Sequence, residues 1–165
     1  MNPLWATECS LSEPEVAEIV QANTKEPADQ LEKLGDGSDF FCFLVDKKWV
    51  FRFPKCASII PSFAREHKFL QYLHLPIDVP SFEYWIENPK GFHLPIAGYQ
   101  HLRGTSLLDA AKSNLNAGEL AVRMGSVIKA LHNRPQASSI STQDPVIKHA
   151  SAWNSDHYRE LVSTD

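Results

Sequence analysis

The chain has 165 residues, with 16 Lys and Arg against 20 Asp and Glu, so its formal net charge is −4; 43% of it is hydrophobic and 22% charged. A length of this order predicts about one domain, able to bury roughly two thirds of its unfolded surface, and the mild acidity argues against a nucleic-acid partner, which would need clustered Lys and Arg. Apolar runs such as Phe40 to Val45 are far too short for a bilayer, and Met1-Asn2-Pro3-Leu4-Trp5 lacks a basic start followed by an apolar stretch, so a soluble, cytoplasmic protein with no membrane partner is expected.

The first helix is announced by Ser12-Glu13-Pro14-Glu15: Ser12 can cap, Glu15 can answer at N3, and Pro14 suits a first turn. Val16, Ile19 and Val20 give it one apolar side. Leu31 to Leu34 reads as a short strand ending at Gly35-Asp36-Gly37, Asp39 to Val45 as a second, and Trp49 to Phe53 as a third that Pro54 stops. Short turns between them predict an antiparallel meander. A helix over Phe63 to Leu73 follows, with Phe63, Phe69, Leu70 and Leu73 at helical spacing, then strands over Phe82 to Ile86 and Phe92 to Ala97. From Gly98 the character turns helical. Asn116-Ala117-Gly118-Glu119 has capping-box spacing, and Leu120, Met124, Val127 and Leu131 mark one stripe before Arg134-Pro135. A last helix over residues 147–162 would display Trp153, Tyr158 and Leu161. The pattern is α+β, with a sheet-rich front and a helical back.

Cys9, Cys42 and Cys56 are too far apart for a C-x-x-C metal site and too few for a disulfide framework; Cys42, inside an apolar run, reads as a small buried hydrophobe. The seven histidines include no H-E-x-x-H spacing, so no metal site is expected from His or Cys.

Two charges stand where the pattern wants apolar residues. Arg52 interrupts the strand Trp49-Val50-Phe51-Arg52-Phe53, and Glu66 falls on the helix stripe three residues after Phe63. A charge on a core-facing stripe is costly unless paired, so an internal ion pair between them is one reading and a solvated sheet face the other. Gly35-x-Gly37-Ser38 turns from strand to strand, which excludes the Rossmann and Walker arrangements, whose glycines open a helix. A Gly hairpin can instead lie over phosphates, provided that Asp36 and Asp39 point away.

Hairpin glycines, a cation on the third strand and a helical Glu occur in the order in which kinase-like enzymes use them. The runs Leu34-Gly35-Asp36-Gly37-Ser38, Phe43-Leu44-Val45 and Trp49-Val50-Phe51-Arg52-Phe53-Pro54-Lys55 resemble the aminoglycoside phosphotransferase family, most closely its 2″-phosphotransferase-like branch. Arg65-Glu66-His67-Lys68-Phe69-Leu70 resembles the helix of its paired glutamate, and Leu75-Pro76-Ile77-Asp78-Val79-Pro80 its Leu-Pro-x-x-x-Pro connection. Gly98-Tyr99-Gln100-His101-Leu102-Arg103-Gly104 is similar to its interlobe hinge, and Leu120 to His132 to its helix ending in Leu-His.

The resemblance, over about Ser12 to His132, implies an α+β protein-kinase-like N-lobe at 1–97 (a five-stranded antiparallel sheet plus a helix), a hinge at 98–104 and the first helices of a truncated C-lobe at 105–165. It implies ATP or GTP with Mg2+ as cofactor and transfer of the γ-phosphate to a hydroxyl of a small molecule, an aminoglycoside-like antibiotic. Gly35, Gly37 and Ser38 would lie above the phosphates, Arg52 would take the phosphate-binding lysine's place, and Glu66 would orient it. Backbone around Tyr99, Gln100, His101 and Leu102 would meet the base edge, with Leu34, Val45 and Val50 as candidate walls, although core packing accounts for those three equally well. The family's catalytic His-x-Asp is not found after any histidine, and no Asp-rich metal motif follows the Leu-His helix, so no catalytic residue or metal ligand is assigned and the chain alone is expected to be inactive. The alternatives are a non-catalytic nucleotide-binding or interaction module and half of a split kinase, with self-association or a partner chain covering the incomplete C-lobe.

Overall fold

The computed structural model describes residues 10–112 and 116–132. Helix α1 (Glu13–Asn23) leads into strands β1 (Leu31–Asp36), β2 (Phe40–Val45) and β3 (Trp49–Pro54). A 3-10 turn at Ala57–Ile59 runs into α2 (Ile60–Gln71), followed by β4 (Tyr84–Ile86), β5 (Ile96–Gln100), α3 (Leu107–Ala111) and α4 (Ala117–His132). The chain divides into two compact units, Met1–Ala117 and Gly118–Asp165. Cys9, Arg134-Pro135 and the expected helix with Trp153, Tyr158 and Leu161 lie outside the described residues. Among those described, no helix is long and apolar enough to cross a membrane.

The five strands form one antiparallel sheet in the order β1-β2-β3-β5-β4. The β2–β3 turn is as tight as the sequence predicts: Asp46 and Lys47 take left-handed φ of 50° and 55°, and Lys48 N–H donates to the Val45 carbonyl at 3.0 Å. Left-handed backbone at both central residues matches the right-handed twist of the strands they join. The Asp46 carboxylate accepts the Asp29 and Gln30 N–H groups at 3.1 and 2.8 Å, which fixes the entry to β1. At α1, the Ser12 N–H and hydroxyl both donate to Glu15, at 2.8 and 2.6 Å.

Side chains alternate between the faces of a strand, and here both faces are used. Phe41, Phe43 and Val45 of β2 and Trp49, Phe51 and Phe53 of β3 pack with Val16, Ile19 and Val20 of α1 and with Ile96. Burying each such large apolar side chain contributes about 1.5–3 kcal/mol before ordering costs, so this layer is the main stabiliser of the unit. Gly98 of β5 belongs to the same face, opposite Phe51 and Tyr84. The other face carries α2 through Phe63, whose ring meets Phe40 at 4.7 Å and Trp85 at 4.9 Å between centroids.

Several boundaries differ from the sequence reading. The last strand is Ile96–Gln100 rather than Phe92 to Ala97, because its register is set by pairing with β3, from Trp49↔Gln100 to Arg52↔Ala97. Phe92 and Leu94 are apolar for packing rather than pairing: Leu94 is buried, and Phe92 lies edge-on to Phe53 at 5.5 Å. Gly98, Tyr99 and Gln100 are the last three residues of this strand. On α2 the sheet-facing residues include Phe63, Glu66 and His67, while Phe69 is 43% exposed. Helix α3 has no counterpart among the elements the sequence predicts; Ser106 caps it, its hydroxyl accepting the Asp109 N–H at 3.1 Å.

Candidate functional site

A single cross-sheet row runs Gly35–Cys42–Arg52–Ala97–Trp85, one residue from each strand, all on the α2 face. The row beside it runs Leu44–Val50–Tyr99. Arg52 therefore projects from the central strand into the space between sheet and helix, where Glu66 meets it: Nη1 donates to Oε1 at 2.6 Å. The Arg52 side chain is 16% exposed and Glu66 38%, so the pair sits at the rim of the buried layer. The internal ion pair, not the solvated sheet face, is what the fold makes of these two charges.

Aromatic rings complete the surroundings of the cation. The guanidinium carbon lies 4.1 Å from the ring centre of Phe40, 5.1 Å from Phe63 and 5.7 Å from Phe82. Beyond them the His67 imidazole stacks on Trp85 at 4.6 Å, only 3° from parallel, and on Phe82 at 5.8 Å. Burial holds the His67 pKa below its ordinary value, and its Nδ1 is buried without a hydrogen-bond partner. On the sheet floor, burial pushes the Cys42 thiol and the Tyr99 phenol up. Arg52 thus sits among buried and half-buried rings on this face.

The hairpin arrives at the same face. Between Lys33 and Gly35 the β1 register slips, leaving Leu34 as the extra residue of a bulge, and Gly35 then falls opposite Cys42. A Cβ on Gly35 would meet nothing within 4 Å, and one on Gly37 only the Phe40 carbonyl oxygen at 3.9 Å. Neither has left-handed φ, unlike Gly91 at 87°, so neither conformation nor packing among the described residues demands glycine there. Ser38 and Gly37 are exposed in the connection to β2. Asp36 falls opposite Phe41, on the other face, and both Lys33 (2.7 Å) and Lys55 bind its carboxylate. Those hydrogen bonds, Lys33 first and then Lys55, hold its pKa below the ordinary carboxylate value.

Of the other expected residues, Tyr99 lies beside Val50 with its ring 5.9 Å from Phe82, Gln100 is exposed opposite Trp49, and Leu102 is half-buried past the strand end. His101 is exposed, and its backbone N–H donates to the Lys48 carbonyl at 2.8 Å, so that donor is spent within the unit. Val45 is not a wall of this face: it is fully buried on the α1 side. Leu34 is 44% exposed at the bulge, whereas Val50 (3% exposed) lies on the α2 face with Leu44. Sequence reasoning missed Phe40, His67, Phe82 and Trp85. The available signal was the density of rings in Ser81-Phe82-Glu83-Tyr84-Trp85-Ile86, whose alternation puts Tyr84 on one face and Trp85 on the other. Among the described residues there is no group of three or more His, Cys, Asp and Glu side chains that could hold a metal ion.

Comparison with known proteins bears on the fold. The structure resembles the GDP and kanamycin complex of APH(2″)-IIIa, with a TM-score of 0.66 at 23% identity, covering 76% of this chain and 43% of that one. It also resembles the GDP complex of wild-type aminoglycoside 2′-phosphotransferase-IIIa, with a TM-score of 0.68 at 22% identity over 79% of this chain and 45% of that one. For the streptomycin–ATP–APH(2″)-IIa ternary complex the TM-score is 0.58 at 20% identity, over 80% of this chain and 44% of that one. The chain thus spans less than half the length of these solved structures, whose fold it shares. No curated protein matches its sequence. The sequence itself matches the phosphotransferase enzyme family over residues 30–164, which is most of its length, and the chain therefore belongs to that family.

Proposed function

We propose that the α2 face of the sheet is a nucleotide site, and that the protein serves nucleotide-dependent transfer of a γ-phosphate to a hydroxyl of a small molecule. The observation that carries this reading is the Arg52–Glu66 pair on the same cross-sheet row as Gly35, whose missing side chain leaves open space. A cation held by a carboxylate is attractive to phosphate, and a backbone without side chains allows phosphate oxygens to approach its N–H groups. Gly35, Gly37 and Ser38 would cover the phosphates and Glu66 would orient Arg52. Leu44, Val50 and Tyr99 form an apolar floor suited to a base. Backbone of Gln100 and Leu102 would meet the base edge, His101 contributing its carbonyl because its N–H is engaged. ATP and GTP both fit this reading, with Mg2+ brought by the nucleotide. In lobes, it assigns 1–97 to a small lobe, 98–104 to a hinge and 105–165 to a helical lobe. Since structures of similar fold hold kanamycin, gentamicin and streptomycin, an aminoglycoside is the acceptor to test first.

A second reading, a nucleotide-binding module that does not itself turn over or that works with a partner chain, is favoured by the lack of any His-x-Asp in the 165 residues. Phosphoryl transfer is mostly positioning and charge stabilisation, so a chain without a group to orient the hydroxyl loses most of its rate. Calorimetric titration with Mg-ATP and Mg-GTP tests the site: Arg52→Ala should weaken binding at least severalfold with the fold intact. No heat from the parent chain at millimolar nucleotide, or unchanged affinity in the variant, would refute it. Phosphate transfer to kanamycin by this chain alone would decide against the second reading.

A further inference from the structure

We propose that Phe40 is a positioning residue for Arg52, and that the ring cage of Phe40, Phe63 and Phe82 makes a guanidinium, rather than any cation, the group this site requires. The inference rests on the nucleotide reading of the α2 face. Three rings from three different segments converge on one guanidinium carbon, at 4.1, 5.1 and 5.7 Å. Phe40 and Phe63 also touch each other, with centroids 4.7 Å apart, and Phe63 touches Phe82 at 5.7 Å, so the rings brace one another as well as the cation.

A guanidinium is planar, delocalised and weakly hydrated, so it can lie against aromatic faces and still use its edge donors. It has five N–H donors; among the described residues the hydrogen bond it makes runs from Nη1 to Glu66. The ring contacts therefore restrain the group, Glu66 holds one edge, and the remaining donors are left for an anion. A lysine at 52 would have to bring a compact, strongly hydrated ammonium into a cage with few polar partners. It would keep the charge and lose the orientation.

Phe40 matters most because of where it stands. It is the first residue of β2, directly after the glycine connection, and it makes the nearest ring contact to Arg52. The end of the hairpin is thereby linked mechanically to the cation, so that the loop over the phosphates and the group beneath them hold a common position. Phe63 carries the helix packing, being 1% exposed, whereas Phe40 is half-buried and open to substitution without collapse of the core.

The test is calorimetric titration of the 165-residue chain with Mg-ATP and Mg-GTP, and with adenosine and guanosine as phosphate-free controls. Phe40→Leu should weaken triphosphate binding by about three- to tenfold, the scale of one partly desolvated cation–ring contact, and leave nucleoside binding unchanged. Phe40→Tyr should restore it. Arg52→Lys should weaken triphosphate binding as well, and adding Phe40→Leu to it should cost nothing more. A general structural defect would lower nucleoside and triphosphate affinity alike, and that result overturns the inference. So does an unchanged triphosphate affinity in Phe40→Leu, or full binding by Arg52→Lys. Failure of the parent chain to bind either triphosphate overturns the nucleotide reading and this inference with it, whereas parent binding with an indifferent Phe40 overturns this inference alone.

Discussion

Gly98 stands with its α-carbon against the Phe51 ring, and the closeness of that approach can be turned into a number. A methyl group built on Gly98 would lie 2.5 Å from Phe51 Cε1, 2.9 Å from Cδ1 and 3.0 Å from Cζ. Carbon atoms pack best at about 3.5–4.0 Å, so the ring would have to retreat by about 1 Å. It has little room, since Phe51 is fully buried in the α1-facing layer, with the Tyr84 ring 5.7 Å away. Overpacking of this kind costs about 1–3 kcal/mol, and at about 2–4 °C per kcal/mol for a chain of this length Gly98→Ala should lower the melting temperature by about 2–12 °C. Thermal unfolding followed by circular dichroism reads the shift. Gly35→Ala is the control: its methyl would meet nothing within 4 Å, so stability should stay within about 0.5 kcal/mol of the parent. Trimming the obstructing ring, in Gly98→Ala with Phe51→Leu, should cost less than the sum of the two single changes. A Gly98→Ala chain that melts with the parent would refute the close-approach argument, and with it the claim that this residue is glycine for packing rather than for bending.

Two further expectations concern pH. Burial lowers the His67 pKa below its ordinary 6.5, so the unfolded chain binds this proton more tightly than the folded one; the stability it represents is present above pH 6.5 and lost as pH falls through the folded value. Melting temperatures taken from neutral to mildly acidic pH should therefore fall more steeply for the parent than for His67→Phe, and parallel profiles would contradict this. Asp36 is also held below its ordinary 3.8, by Lys33 and Lys55, so its contribution is present above pH 3.8 and disappears as acid takes the pH through the lowered folded value. Asp36→Asn should flatten that more acidic limb, and because the carboxylate is exposed the difference should shrink in high salt; an unchanged limb would count against the clamp.

The meander was legible in the sequence because Phe40 to Val45 and Trp49 to Phe53 are dense in strand-forming residues and the three residues Asp46-Lys47-Lys48 leave room only for a tight turn. The Arg52–Glu66 pair was legible for the opposite reason, as two charges in apolar patterns whose cost demands a partner. The fifth strand was misplaced because apolar content marks burial, whereas the strand's limits follow from its partner's hydrogen bonds; Phe92 and Leu94 are apolar without a ladder to join. The bulge at Leu34 left no trace in composition. Nor did the cage, since Phe40, Phe63 and Phe82 lie on three segments and acquire a common meaning only when sheet and helix close over one side chain. Each ring alone reads as an ordinary core residue.

The bulge on β1 also bears on how such a chain can vary. A one-residue insertion in β3 would exchange its faces, sending Arg52 toward α1 and Phe51 toward α2, and would dismantle the ion pair and the core together. β1 is different: it is an edge strand, it already carries an unmatched residue at Leu34, and Gly35 recovers its place opposite Cys42 just after it. Length changes in the hairpin can be absorbed there, upstream of the glycines, while the alignment of β2 with β3 stays untouched. The sheet thus confines drift to its margin and shields from it the strand on which both core and cation depend.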